Sequence, residues 1–228
     1  MEEYLEKNHD YWQKGYQAEN VESFVFRPYG VVFKAELGID GSKHEKCLDF
    51  GCGQGAALGF FKKKGFDVYG VDISQVDIEC CKQKMPEISE HFAVIDPKPR
   101  DNNVFFGGGY DVVLSIQTLY YLSDHDLGTC LMALHQQMKP GAIFYATMMG
   151  TRHYFYDHSA EYKDGLRKVV VSTNRFQLND YYINFTSNED ELLRKLSLFK
   201  KIHIGYYDHK VTESEGSRFH YTFIGQKT

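Results

Sequence analysis

The sequence predicts a doubly wound α/β fold, in which helices cover both faces of a mostly parallel sheet. Apolar strand patterns alternate with helical patterns between residues 44 and 149. The strand patterns are short apolar runs, which are typical of parallel strands buried on both faces. The first strand ends in a glycine-rich turn that opens a helix, and nucleotide-binding units use this arrangement to approach a ligand closely.

Capping and breaking residues set the elements of the first half. Gly65 stops a helical stretch with a basic end, because glycine readily takes the left-handed conformation at a helix C-terminus. Ser74 offers a hydroxyl cap to the next helix, and Pro86 ends that helix. These signals predict strands over residues 47–50, 67–72 and 91–96, and helices over residues 56–64 and 74–84.

The second half begins with the clearest strand, residues 110–116, which follows three consecutive glycines. A helix over residues 123–138 and a Lys-Pro-Gly-Ala turn over residues 139–142 lead to a fifth strand over residues 143–148. Near the end of the chain, residues 186–196 predict a helix, and residues 200–207 and 219–226 predict two strands joined by a polar loop.

The turn after the first strand is compatible with two kinds of cofactor. Gly51, Gly53 and Ala56 fit the dinucleotide fingerprint G-x-G-x-x-G/A, and Asp72 lies where that fingerprint has an acid for the ribose. Asp49 argues against a dinucleotide, because a carboxylate two residues before the first glycine would repel a pyrophosphate and attract a cationic cofactor. A nicotinamide-dependent oxidoreductase is therefore an open alternative that Asp49 disfavours.

Residues 48–55, Leu-Asp-Phe-Gly-Cys-Gly-Gln-Gly, carry a resemblance to a known family. They resemble the first motif of the class I S-adenosylmethionine-dependent methyltransferases, of the type that acts on small molecules. The resemblance implies a Rossmann-like, mostly parallel seven-stranded sheet with an antiparallel C-terminal strand. It also implies one methyltransferase domain over residues 1–228, with an N-terminal helical extension over 1–43 and a substrate lid inserted over 150–185 after the fifth strand.

The resemblance further implies which residues bind S-adenosylmethionine. Asp72 is expected to accept the ribose hydroxyls, and Asp96 is expected near the adenine. Arg27 is a candidate for the methionine carboxylate, although a surface ion pair explains it about as well. The expected cofactor residues are Tyr16, Arg27, Asp49, Gly51, Cys52, Gly53, Gly55, Asp72, Ile73, Asp96, Ser115 and Gln117.

The implied reaction is an in-line displacement, in which an oxygen or nitrogen of a small-molecule acceptor attacks the methyl group. Positioning of the two reactants would supply most of the catalysis. His153 and His158, in the inserted segment, are the candidates for a general base, although a single histidine is more often a surface or core residue. The alternative to an enzyme is a non-catalytic protein that binds S-adenosylmethionine to regulate a partner.

Composition restricts the partners and the compartment. The formal net charge of −5 disfavours a nucleic acid partner, which usually requires a basic face. The sequence predicts neither a leader peptide nor a membrane span, and five cysteines suit a reducing compartment, so we expect a cytosolic protein. The cysteines contain no C-x-x-C pair, so we expect no metal site. Arg152, Arg167, Lys168 and Arg175 suggest an anionic acceptor, against the alternative of a solvated charged face. The oligomeric state is left open.

Overall fold

The computed structural model describes residues 21–98, 100, 102–172, 177–212 and 216–228, with the backbone alone for residues 177–180. A seven-stranded sheet has the order β3-β2-β1-β4-β5-β10-β9. Strands β1 to β5 are mutually parallel, and β10 is antiparallel to both of its neighbours. The strands of this sheet are β1 (Lys46–Phe50), β2 (Asp67–Asp72), β3 (Phe92–Val94), β4 (Tyr110–Ser115), β5 (Met138–Met149), β9 (Lys200–Tyr207) and β10 (His220–Gln226).

Helices lie between the strands, and serine caps begin two of them, of which Ser74 was predicted. Ser74 accepts a hydrogen bond from the backbone N–H of Asp77, and Ser123 accepts one from that of Asp126. The first helix continues as a π-helical segment over Tyr29–Lys34. The helices are α1 (Ser23–Pro28), α2 (Ala56–Lys63), α3 (Gln75–Lys84), α4 (Asp124–Gln137), α5 (Tyr154–Asp157) and α6 (Glu189–Lys195).

Apolar layers cover both faces of the sheet, as the doubly wound prediction requires. On one face, Leu134 of α4 and Phe144 of β5 belong to a cluster that also includes Leu192 of α6. On the other face, Phe61 of α2 packs with Phe33 of the π-helical segment. The predicted Rossmann-like seven-stranded sheet with an antiparallel C-terminal strand is confirmed.

Three element boundaries differ from the prediction. The last helix begins at Glu189 rather than residue 186, because Asn188 accepts the capping hydrogen bond from Glu191. Strand β3 covers only Phe92–Val94. Strand β5 begins at Met138 and includes the predicted turn, because Met138 pairs with Tyr110 ahead of an irregularity in the register.

The insertion over residues 150–185 has its own β structure, which the sequence analysis did not predict. It contains α5 and a three-stranded antiparallel sheet, β6 (Ser159–Lys163), β7 (Leu166–Ser172) and β8 (Gln177–Ile183). Arg167 supports this sheet, because its guanidinium donates hydrogen bonds to the hydroxyl and carbonyl oxygens of Ser159. At the other end, the described part of the predicted N-terminal extension is helical over residues 23–34. Within the described ranges, no helix combines the length and apolar character needed to cross a membrane.

Candidate functional site

A cavity of about 730 Å³ opens beyond the carboxyl ends of β1, β2 and β4. This edge of an open α/β sheet is where ligands generally bind. Residues from six segments line it, including the N-terminal α1 and the connection from β3 to β4. The expected site residues among the lining are Asp49, Gly51, Cys52, Gly53, Asp72, Ile73, Asp96 and Gln117.

The glycine turn forms one wall of the cavity, and its glycines have different roles. Gly51 has φ of 80°, and a Cβ there would lie 2.2 Å from Oγ1 of Thr118, so close packing requires this glycine. Gly53 has φ of 49°, and a Cβ there would meet no protein atom within 4 Å. Since Gly53 lines the cavity, its missing side chain leaves room for a ligand against the backbone.

Asp72 is fixed at the end of β2 by the backbone. One of its carboxylate oxygens accepts a hydrogen bond from Gly53 N at 2.8 Å, and the other accepts one from Ser74 N at 2.9 Å. Each carboxylate oxygen can accept a further hydrogen bond. The carboxylate is thus oriented beside the glycine turn with the capacity to bind a ligand that carries hydroxyl groups.

Asp49 is a buried carboxyl group with an unused oxygen. The residue is 3% exposed, and Oδ1 has no hydrogen-bond partner among the described residues. Burial, with a smaller contribution from the charge of Asp72, raises the pKa of Asp49 from 3.8 to about 7. A buried polar atom without a partner is costly, so this oxygen is suited to a donor or a cation that a ligand brings.

Three of the expected residues that the structure describes are not brought to the cavity. Gly55 lies behind the turn, where a Cβ would meet Sγ of Cys81 at 3.0 Å. Ser115 is fully buried and donates a hydrogen bond to the carbonyl oxygen of Phe50. Arg27 is exposed on α1 and is not among the lining residues. Tyr16 lies outside the described residues.

The two candidate bases are also away from the cavity. His153 is buried, and its Nδ1 accepts a hydrogen bond from Phe155 N at the start of α5. Burial, followed by the charges of His220 and Arg218, lowers the pKa of His153 to about 3. His158 is exposed, with Nδ1 3.0 Å from the carbonyl oxygen of Tyr154. Because His153 serves as a helix cap and His158 faces solvent, we assign neither of them a catalytic role.

Aromatic side chains form a group beside the cavity that the sequence analysis did not bring together. Phe24 lines the cavity and stacks on Tyr207 with ring centroids 4.4 Å apart, and Tyr207 stacks in turn on His220 at 4.9 Å. Tyr121 also lines the cavity, and its hydroxyl lies 2.5 Å from that of Tyr181 in the insertion. Their aromatic composition was the only signal in the sequence, because these residues come from five separate segments.

The charged residues of the lining are mainly acidic. The described lining contains one basic residue, Arg100, which is paired with Asp96 at 3.3 Å. In the insertion, the guanidinium of Arg152 lies 4.2 Å from the ring centre of Phe219, outside the cavity. The cavity therefore favours cationic over anionic groups. Its acidic residues are Glu22, Asp49, Asp72, Asp77 and Asp96.

A doubly wound sheet with a glycine turn between two strand-terminal acids defines a cofactor-binding α/β protein of the nucleotide-binding class. Comparison with known families is more specific. Residues 22–203 match the family described as a methyltransferase domain, so the chain belongs to this family.

Individual relatives agree with this assignment. An uncharacterized methyltransferase of Synechocystis sp. is 27% identical over 103 residues, which cover 45% of this chain and 46% of that protein. The match thus spans about half the length of this curated relative. A solved S-adenosylmethionine-dependent methyltransferase from Methanosarcina mazei has a TM-score of 0.67 at 17% identity, covering 85% of this chain and 97% of the other. A Burkholderia thailandensis 1,6-didemethyltoxoflavin-N1-methyltransferase, solved with bound 1,6-didemethyltoxoflavin and S-adenosylhomocysteine, has a TM-score of 0.60 at 17% identity, covering 98% of this chain and 83% of the other.

Proposed function

We propose that this protein binds S-adenosylmethionine in the cavity and transfers the methyl group to an oxygen or nitrogen of a small-molecule acceptor. One observation carries the proposal. A single cavity brings together the unpaired buried oxygen of Asp49, the open backbone at Gly53 and the oriented carboxylate of Asp72. These groups match a cofactor that has a positive charge, a compact polar chain and a ribose diol.

The residues of the cavity suit distinct parts of the cofactor. Asp72 would accept hydrogen bonds from the ribose hydroxyls, and Asp49 would face the positively charged portion. Gly53 would allow the ligand to contact the turn directly. Ile73 and Asp96, which follow β2 and β3, would flank the adenine. When bound, S-adenosylmethionine supplies an activated methyl group on a cationic sulfur.

The contribution of the chain to the reaction is mainly positioning. Holding two reactants in an aligned geometry can lower a barrier by ~7–11 kcal/mol. The acidic lining would stabilise positive charge in the cavity. Because the described lining contains no histidine, we propose an acceptor whose nucleophilic atom does not require a histidine base, such as a neutral amine.

We propose a neutral or cationic acceptor in preference to the anionic acceptor that the basic residues of the insertion suggested. Arg152 and Arg167 are engaged in contacts within or beside the insertion, and the described lining is acidic. The insertion over residues 150–185 would cover the acceptor, since Tyr181 contacts Tyr121 at the cavity. The formal net charge of −5 supports the further proposal of a small-molecule partner rather than a nucleic acid. The five free thiols support the proposal of a cytosolic location.

Calorimetric titration with S-adenosylmethionine, S-adenosylhomocysteine and NADH tests the proposal without knowledge of the acceptor. We expect micromolar affinity for the first two ligands and none for NADH. Binding of NADH alone would favour the oxidoreductase. If the first two ligands bind but a broad panel of amines and alcohols yields no S-adenosylhomocysteine, the non-catalytic regulatory protein becomes the better account.

A further inference from the structure

Gln117 lines the cavity and has an unusual backbone conformation. It follows β4 with φ of 57°, in the left-handed region that non-glycine residues rarely adopt. Four described non-glycine residues have such a φ, and of these Gln117 is the one that lines the cavity. Strained backbone of this kind persists where surrounding contacts hold it, and it is frequent at functional sites.

Two hydrogen bonds hold Gln117 in place. Its backbone N–H donates to Oγ1 of Thr147 at 2.8 Å, and Thr147 is fully buried in β5. Its side-chain Nε2 donates to the hydroxyl oxygen of Tyr207 at 2.9 Å. Tyr207 is itself fixed between the rings of Phe24 and His220. The backbone of Gln117 is therefore held by β5, and its side-chain amide is held by β9 through Tyr207.

This arrangement leaves the carbonyl oxygen Oε1 of the side chain and one N–H of its amide for a ligand. The other N–H is bonded to Tyr207, and no hydrogen bond among the described residues uses Oε1. Oε1 can only accept hydrogen bonds, so its partner must carry an O–H or N–H group. Because the lining around it is acidic, a partner without negative charge is favoured.

We propose that Gln117 is an acceptor-binding residue, whose side-chain carbonyl oxygen orients the O–H or N–H of a neutral or cationic methyl acceptor. This inference rests on the proposed function, and it replaces the expected role of Gln117 in cofactor binding. The hydrogen bond directs the acceptor atom within the cavity, and Tyr207 acts as a positioning residue through the amide. The aromatic side chains of Phe24 and Tyr121 offer an apolar wall beside it.

The test uses the full-length protein and three ring-containing probes that differ in the group they present. S-adenosylhomocysteine is titrated first, and the saturated complex is then titrated with benzyl alcohol, benzylamine and benzoate. We expect the alcohol and the amine to bind the wild-type complex about tenfold more tightly than benzoate. Gln117→Gly should weaken binding of both by about tenfold, because it removes the only proposed hydrogen-bond acceptor.

Three further results keep the interpretation specific. Glycine accepts positive φ without strain, so Gln117→Gly should remain folded, with its affinity for S-adenosylhomocysteine within about threefold of wild type. Tyr207→Phe keeps the ring stack and removes the hydroxyl, so we expect it to weaken the same two probes by about threefold or more. Tyr206→Phe alters the exposed neighbouring tyrosine and serves as the matched control, with unchanged probe binding.

Two outcomes would overturn the inference. Equal probe affinities for wild type and Gln117→Gly, including no binding to either, would show that Oε1 does not hold an acceptor. A loss of about tenfold or more in S-adenosylhomocysteine affinity for Gln117→Gly would return Gln117 to the cofactor site. By contrast, a wild-type protein that fails to bind S-adenosylhomocysteine would refute the proposed function itself, in a measurement that does not involve Gln117.

Discussion

Replacing Asp49 with asparagine should stabilise the protein in a pH-dependent way. The folded-state pKa of about 7 lies above the ordinary value of 3.8. Between these two values, the folded protein keeps a proton that the unfolded chain has released, so wild-type stability falls as pH rises. Asparagine fills nearly the same volume and does not titrate. Its advantage over wild type should therefore grow with pH and become constant above about pH 7.

The magnitude follows from the width of this window. Each pH unit in which the two states differ by one proton changes the free energy of unfolding by about 1.36 kcal/mol. Between pH 5 and pH 7, the difference between Asp49→Asn and wild type should grow by ~2.3 kcal/mol, which is less than two full pH units give because the folded carboxyl is half ionised at pH 7. Urea unfolding at both pH values, in the absence of cofactor, measures this difference. A constant difference would mean that Asp49 titrates near its ordinary pKa and that the buried, unpaired carboxyl is wrongly described.

Ionisation of Asp49 should also make cofactor binding depend on pH. The affinity for the cofactor should rise with pH, whereas the stability of the wild-type fold falls. If the cationic cofactor binds only to protein with ionised Asp49, about one tenth of the protein can bind it at pH 6 and most of it at pH 8. The apparent affinity for S-adenosylmethionine should then rise by about tenfold over this range. Calorimetry should find this rise in wild type and not in Asp49→Asn. A pH-independent wild-type affinity would separate Asp49 from the cofactor.

Three further substitutions test the site and its surroundings. Gly53→Val should abolish binding of S-adenosylhomocysteine in a folded protein, since a Cβ there meets only cavity space. Gly51→Ala should chiefly lower the melting temperature, because its Cβ would overlap Thr118. Asp72→Ala should weaken S-adenosylhomocysteine binding by ~2–3 kcal/mol in calorimetry, and unchanged affinity would remove Asp72 from the site. His153→Ala should cost ~1 kcal/mol of stability, because it removes a helix cap, and should leave the cofactor affinity intact. A large loss of affinity would show that the insertion reaches the cofactor through His153.

The proposed cofactor side of the cavity could be predicted because its residues are local in sequence. Asp49, Gly51 and Gly53 lie within five residues of one another, and Asp72 ends the very next strand. Strand ends and glycine turns leave a recognisable pattern, so spacing alone was sufficient to bring these groups together. The same locality explains why the capping residues Ser74 and Ser123 marked helix starts correctly.

The proposed acceptor side could not be predicted because long-range packing forms it. Gln117 and Tyr207 are 90 residues apart, and Phe24 reaches Tyr207 from the other end of the chain. No spacing rule connects such residues. The position of the candidate bases has a related reason. His153 and His158 share the insertion with the cavity contact Tyr181, but both are bonded to the backbone around α5 and neither lines the cavity.

A crystal structure of the protein with S-adenosylhomocysteine tests the central claim most directly. The account predicts ligand density in the cavity, with the ribose hydroxyls on the carboxylate of Asp72, the polar chain against Gly53 and a ligand donor at Asp49. Gln117 should retain its bond to Tyr207 and leave Oε1 free for the acceptor. Ligand density elsewhere, or a ligand in the cavity that contacts neither Asp72 nor Asp49, would contradict it.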